Sequence, residues 1–249
     1  MPDDLALAAA RILPLVDLTT LRDDDTDAVV TALCGKATTP RGAVAAVCVF
    51  PRFVPTARRA LAGGVVRVAT VANFPAGDDD ASRAADETRR AVEAGADEVD
   101  VVFPWRAFLD GARGHGEALV AACRAAAGAR TLKVILESGA FRDPTVLAAA
   151  AREAVAGGAD FLKTSTGRRE PGATPEAARA LLEVAAAARG RDVGLKVSGG
   201  VRTTAQAAAY LALADATLGR AWAGPRHLRF GASALLDDLL AVAARGSTP

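Results

Sequence analysis

A chain of 249 residues, 51% of them hydrophobic, suffices for one large α/β domain with a sizeable buried core. Its net charge of +1, with both signs interspersed, gives no footprint for nucleic acid or a membrane surface, and no apolar run approaches bilayer-spanning length. Three scattered cysteines without a C-x-x-C pair, and only two histidines, argue for reduced thiols in a cytoplasmic setting and against a zinc centre.

The chain opens with Asp3 and Asp4 ahead of a short apolar stretch and lacks the basic leader of a secretory signal. That stretch predicts a short N-terminal helix capping the bottom of the fold. Short β-branched or apolar runs then recur at 12–16, 44–49, 66–71, 98–102, 132–136, 161–164, 193–197 and 228–230. Between them, alanine- and arginine-rich stretches carry apolar residues at three- and four-residue spacing, as amphipathic helices require; 82–93, 144–155 and 175–187 are examples. Asp or Pro often opens these segments and Gly closes them. Eight strand–helix alternations in roughly 220 residues predict right-handed parallel units closing into a (β/α)8 TIM barrel. No linker or composition break divides 1–249, so one domain is expected.

In such barrels the chemistry sits at the C-terminal strand ends. Those ends carry Asp17 and Thr19, Cys48, Asn73, Asp100, Glu137, Lys163, Lys196 and Gly231. A partial repeat supplies geometry: Gly95-Ala96-Asp97-Glu98-Val99-Asp100 matches Gly158-Ala159-Asp160-Phe161-Leu162-Lys163. Asp100 and Lys163 thus hold the same place on the fourth and sixth strands, and alternate strands fill one interior layer. They are expected to face each other inside the barrel.

Of the thirty cationic residues only four are lysines, and three of these, Lys133, Lys163 and Lys196, lie in apolar runs. Arginine never deprotonates, whereas a lysine in a water-poor pocket can lose its proton and attack a carbonyl. Lys133 lies before the end of its strand beside Glu98, so that pair is expected to be structural. The turns after the last three strands, Thr164-Ser165-Thr166-Gly167, Ser198-Gly199-Gly200 and Gly231-Ala232-Ser233, suit a phosphate cup of backbone amides, with Arg168 beside it.

These residues fit Schiff-base chemistry beside a phosphate site. They also admit a phosphosugar isomerase, epimerase or decarboxylase with Asp100 or Asp17 as base, or a barrel that merely binds a phosphorylated metabolite. The last would gain nothing from two inward lysines.

The stretches Asp17-Leu18-Thr19-Thr20-Leu21, Val68-Ala69-Thr70-Val71-Ala72-Asn73-Phe74-Pro75, Asp97-Glu98-Val99-Asp100-Val101-Val102, Lys163-Thr164-Ser165-Thr166-Gly167, Lys196-Val197-Ser198-Gly199-Gly200 and Arg229-Phe230-Gly231-Ala232-Ser233 resemble deoxyribose-phosphate aldolases over essentially the full length. The resemblance implies a metal-independent class I aldolase without cofactor. Such an enzyme reversibly cleaves 2-deoxy-D-ribose 5-phosphate to acetaldehyde and D-glyceraldehyde 3-phosphate. It implies Lys163 as imine former, Lys196 as the second lysine that depresses its pKa, and Asp100 as acid/base. Substrate contacts are expected from Asp17, Thr19, Cys48, Thr166, Gly167, Arg168, Gly199, Gly200, Gly231 and Ser233. The expected partners are small phosphosugars and aldehydes, with a homodimer as the expected assembly. Three departures stand out. Val197-Ser198 replaces the Pro-Ala common after the second lysine. Arg168 stands where a lysine is common. The ending Arg245-Gly246-Ser247-Thr248-Pro249 lacks the terminal tyrosine of some members, and the single tyrosine is Tyr210.

Overall fold

The computed structural model describes residues 2–245. Eight parallel strands close on themselves: β1 (Val16–Thr19), β2 (Ala46–Cys48), β3 (Arg67–Ala72), β4 (Glu98–Val102), β5 (Thr131–Ile135), β6 (Phe161–Lys163), β7 (Gly194–Ser198) and β8 (Leu228–Ala232). Each pairs with its sequence neighbour, and β8 returns to β1 with Asp17 opposite Gly231. Helix α1 (Pro2–Ile12) precedes the barrel, and α2 (Asp27–Lys36), α3 (Val54–Ala60) and α4 (Ala81–Glu93) follow the first three strands. After β4 come α5 (Trp105–Leu109) and α6 (His115–Ala127); α7 (Pro144–Ala156), α8 (Pro175–Ala187), α9 (Thr204–Leu218) and α10 (Leu235–Arg245) complete the ring. A hairpin, Thr38–Thr39 with Gly42–Ala43, lies between α2 and β2. This is a (β/α)8 TIM barrel with an N-terminal helix. Among the described residues no helix is long and apolar enough to cross a membrane.

Local chemistry sets the helix starts. The side chains of Thr26, Asp80, Asp143, Thr174 and Thr203 each accept a hydrogen bond from a first-turn N–H, satisfying a donor that has no partner within the helix. Pro144 and Pro175 hold the first helical position, where a missing N–H costs nothing.

The first strand departs from expectation. The run 12–16 predicts it, yet Ile12 ends α1, Leu13–Leu15 form a single 3-10 turn, and pairing begins at Val16. Pro14 explains this, because it offers no N–H to a ladder and its fixed φ suits a helical turn. Helix α1 therefore runs to Ile12 and packs on α9 and α10, with Arg11 bound to Asp215 at 2.7 Å. The chain end, 246–249, lies outside the described residues.

Strand alternation separates two interiors. Outward side chains such as Val47, Val99, Val134, Leu162, Val197 and Phe230 join the helices in one large apolar cluster. Inside the barrel a much smaller cluster, Ala46, Cys48, Ala69 and Val71, fills one side. Elsewhere the interior is charged. Small residues make that possible: a Cβ on Gly194 would come within 2.5 Å of the Phe161 ring, and one on Gly231 within 2.9 Å of Lys196 Cε.

Candidate active site

Strand alternation aims Asp17, Glu98, Asp100, Lys133, Lys163, Lys196 and Arg229 into the barrel, all of them buried. Seven ionisable groups out of water would each cost on the order of several kcal/mol if unpaired. Each is paired. Asp100 accepts from three lysines, Lys133 at Oδ1 and both Lys163 and Lys196 at Oδ2, each at 2.8 Å. Lys196 also lies 2.6 Å from Asp17 Oδ2, close enough for an ion pair although not aligned as a hydrogen bond. Lys133 reaches Glu98 at 2.5 Å and Asp17 at 3.7 Å. Arg229 donates to Asp17 Oδ1 at 2.6 Å and to Glu98 Oε1 at 3.0 Å.

Lys163 and Asp100 therefore meet inside the barrel, and Lys196 joins them from the position paired with Lys163 on the next strand. The Lys133–Glu98 pair forms as expected at the lower level, but Lys133 is more than a base strut because it also binds Asp100. Arg229 carries no signal of its own in the sequence. It is one cation among many arginines, and only barrel closure brings it beside Asp17 and Glu98.

The electrostatics sort the lysines. Burial holds Lys163 below the usual lysine value, Lys196 adds to the effect, and Asp100 opposes it. Burial opposes the charge of Lys196 too, but Asp100 and Asp17 outweigh it and raise that lysine above its ordinary value. For Lys133, likewise, Asp100, Glu98 and Asp17 overcome burial. Burial alone would raise Asp100, yet Lys133, Lys163 and Lys196 together keep it well below the usual carboxylate range. Asp17 is held down against its burial by Lys196, Arg229 and Lys133. Lys163 is the one amine of the cluster with an ordinary value lowered.

Above the charges a cavity of about 460 Å³ opens at the C-terminal strand ends. Lys163 forms part of its wall, with Thr19, Thr166, Gly167, Arg168, Ser198, Gly199, Gly200, Gly231 and Ser233. Asp17, Cys48, Asp100 and Lys196 do not line it. Cys48 is fully buried, and burial pushes its thiol above the usual value. Asp17 sits within β1 beneath the cavity, a consequence of strand pairing that starts at Val16.

Sequence reasoning missed two cationic wall residues, Arg22 and Arg202. With Arg168 they make a cationic rim. Arg168 is held by the Leu21 carbonyl and, at 3.4 Å, by Asp23, while Arg22 pairs with Asp24 at 2.7 Å. Gly167, Gly199 and Gly200 all have positive φ (77°, 91° and 89°), which turns the loop backbone toward the cavity in a conformation side chains resist.

Two other strand-end polar groups prove structural. Glu137, in a left-handed conformation at φ 54°, accepts from the Thr166 hydroxyl at 2.6 Å and from the Thr166 N–H at 3.3 Å. It thereby fixes the loop after β6. Asn73, at φ 53°, donates to Asp78 and Val102 carbonyls and holds the turn after β3. Among the described residues no group of three or more His, Cys, Asp or Glu side chains is arranged to hold a metal ion.

Residues 11–241 match the family model of the DeoC/LacD family aldolases. Solved structures agree in fold. A candidate deoxyribose-phosphate aldolase of Toxoplasma gondii ME49 superposes with a TM-score of 0.88 at 26% identity, covering 97% of this chain and 98% of that one. Another, from Coccidioides immitis, gives 0.77 at 30% identity over 92% and 85%. The tetrameric deoxyribose phosphate aldolase of Aeropyrum pernix gives 0.70 at 26% identity over 97% and 92%. Barrel and match together define a carbon–carbon lyase. The chain belongs to the DeoC/LacD family of aldolases.

Proposed function

We propose that this aldolase cleaves 2-deoxy-D-ribose 5-phosphate reversibly to acetaldehyde and D-glyceraldehyde 3-phosphate through an imine on Lys163. One observation carries the reading: Lys163 is the amine of the buried cluster that lines the cavity, and it is the one whose charge is disfavoured. An uncharged amine is the nucleophilic form.

The Lys163 nitrogen adds to the aldehyde carbon, and the carbinolamine loses water to leave a protonated imine. A base removes the proton of the 3-hydroxyl, the C2–C3 bond breaks, and its electron pair flows into the imine to give an enamine. D-glyceraldehyde 3-phosphate departs. The enamine takes a proton at C2, and water releases acetaldehyde and the free amine. Asp100 is ionised and 2.8 Å from the Lys163 nitrogen, so it is the base at hand, acting through water at atoms beyond its reach. The rim of Arg22, Arg168 and Arg202, with the Gly167 and Gly199–Gly200 turns and the end of β8 at Gly231–Ser233, would take the 5-phosphate, with Thr19 and Thr166 on the same wall.

Borohydride reduction in the presence of acetaldehyde tests the reading. Mass spectrometry is expected to find one reduced two-carbon adduct on the peptide containing Lys163. An adduct elsewhere, or none with active enzyme, overturns it.

A further inference from the structure

Arg229 and Glu98 make no ion pair with Lys163 and are not part of the cavity wall, yet Arg229 shares Asp17 with Lys196 and Glu98 with Lys133, the two lysines that meet Lys163 at Asp100. The Arg229 guanidinium is fixed on four sides: Asp17 at 2.6 Å, Glu98 at 3.0 Å, the Pro225 carbonyl, and the Phe161 ring with its centroid 5.6 Å away. Glu98 also takes Lys133 at 2.5 Å and the half-exposed Arg67 at 3.8 Å. Asp17 is divided among Arg229, Lys196 and Lys133. Lys163 faces Asp100 from β4 and Lys196 from β7, with the Cys48 thiol of β2 near enough to enter the same balance and Lys133 of β5 bound to the other oxygen of Asp100.

Within this buried set stand four cations, Lys133, Lys163, Lys196 and Arg229, and three carboxylates, Asp17, Glu98 and Asp100. Fully ionised, the set carries one surplus positive charge. A guanidinium cannot shed it. Lys196 contacts two carboxylates and Lys133 three, whereas Lys163 contacts one that both others share. The surplus is relieved most cheaply at Lys163.

We propose that Arg229 is a positioning residue for the reaction: its permanent charge occupies Asp17 and Glu98, leaves Asp100 shared among three lysines, and so makes Lys163 the amine that gives up its proton. This rests on Lys163 being the imine-forming amine. Without the guanidinium, Asp17 would serve Lys196 and Glu98 would serve Lys133. Asp100 would then be left to hold Lys163 charged.

The test compares wild type with Arg229→Met, Arg229→Lys and the double variant Glu98→Gln/Arg229→Met. Two readouts are followed against pH: kcat/KM for deoxyribose 5-phosphate, and the yield of borohydride-trapped acetaldehyde adduct on Lys163. Circular dichroism reports folding. Arg229→Met is expected to move the acid limb of both profiles up by about one pH unit, the size of a unit charge acting across on the order of 10 Å of protein. Arg229→Lys, which keeps the charge, is expected to keep the wild-type limb. The double variant again has one surplus cation, so its limb is expected to return to the wild-type position. An unmoved limb in folded Arg229→Met overturns the inference. If Arg229→Met does not fold, the double variant decides: a wild-type limb supports the inference and a displaced one overturns it. Failure of wild-type enzyme to trap any adduct on Lys163 would instead remove the imine reading itself.

Discussion

Lys163 and Lys196 are register partners on neighbouring strands, and both ammonium groups point at one oxygen, Asp100 Oδ2, at 2.8 Å each. Two cations on one oxygen cannot be equally stable. Asp17, 2.6 Å from Lys196, favours the charge of that lysine, while burial and the neighbouring Lys196 disfavour the charge of Lys163.

Lys196→Leu follows directly from that geometry. It removes a neighbouring positive charge and frees Asp100 for Lys163, so the Lys163 pKa rises and less of it is neutral at pH 7. The acid limb of kcat/KM is expected to move to higher pH, with activity at pH 7 down by up to about tenfold for each unit moved. An unchanged pH–rate profile would reject the electrostatic role of Lys196.

Lys163→Arg separates charge from nucleophilicity. The guanidinium can still pair with Asp100, but it cannot form an imine. Cleavage of deoxyribose 5-phosphate is expected to vanish, along with the borohydride-trapped adduct, while circular dichroism remains that of the wild type. Substantial residual cleavage would move the nucleophile elsewhere.

Asp100→Asn removes the carboxylate that three lysines share. A loss in kcat of at least about a hundredfold is expected, the usual scale of a lost acid/base group. Its place below the cavity wall predicts that KM for the phosphorylated substrate changes little. A rise in KM with kcat intact would place Asp100 in phosphate binding instead.

The inner layer was partly legible because its signals are local. Lysines are scarce, so three of them in apolar runs stand out, and the repeated Gly-Ala-Asp turn puts Asp100 and Lys163 in equivalent strand positions. The Asp17–Arg229–Glu98 network was not legible, since it joins β1, β8 and β4 through barrel closure. Arg22 and Arg202 were missed for a related reason: exposed loop arginines look alike until the loops converge on one cavity. The start of β1 was misread because Ile-Leu-Pro-Leu-Val has the composition of a strand, and only Pro14 argues otherwise.

Gly231 has a packing role that its place on the cavity wall conceals. A Cβ there would approach Lys196 Cε and Ser198 Cβ to 2.9 Å each, and the Lys196 head is pinned between Asp17 and Asp100. Gly231→Ala must push the lysine stem aside. A stability loss of about 1–3 kcal/mol, the usual cost of overpacking, is expected by urea denaturation. The acid limb of the rate profile should rise as Lys196 shifts away from Lys163. A stable variant with the wild-type profile would show that Lys196 needs no such clearance.

Ser233 distinguishes phosphate recognition from imine chemistry. It is exposed at the start of the turn before α10, on the same cavity wall as Arg168, Arg202 and the Gly199–Gly200 turn. If the 5-phosphate sits there, Ser233→Asp sets a like charge against it and partly satisfies the cationic rim. KM for deoxyribose 5-phosphate is then expected to rise by at least about tenfold, roughly 1.4 kcal/mol. The remote phosphate also helps hold the reacting carbonyl over Lys163, so kcat/KM should fall by more than KM alone would give. Unphosphorylated deoxyribose makes no contact with the rim through a phosphate, and its cleavage should be nearly unchanged. The ratio of the two kcat/KM values, measured side by side, is therefore the informative quantity. Equal loss on both substrates would mean that Ser233 supports the turn and not the phosphate.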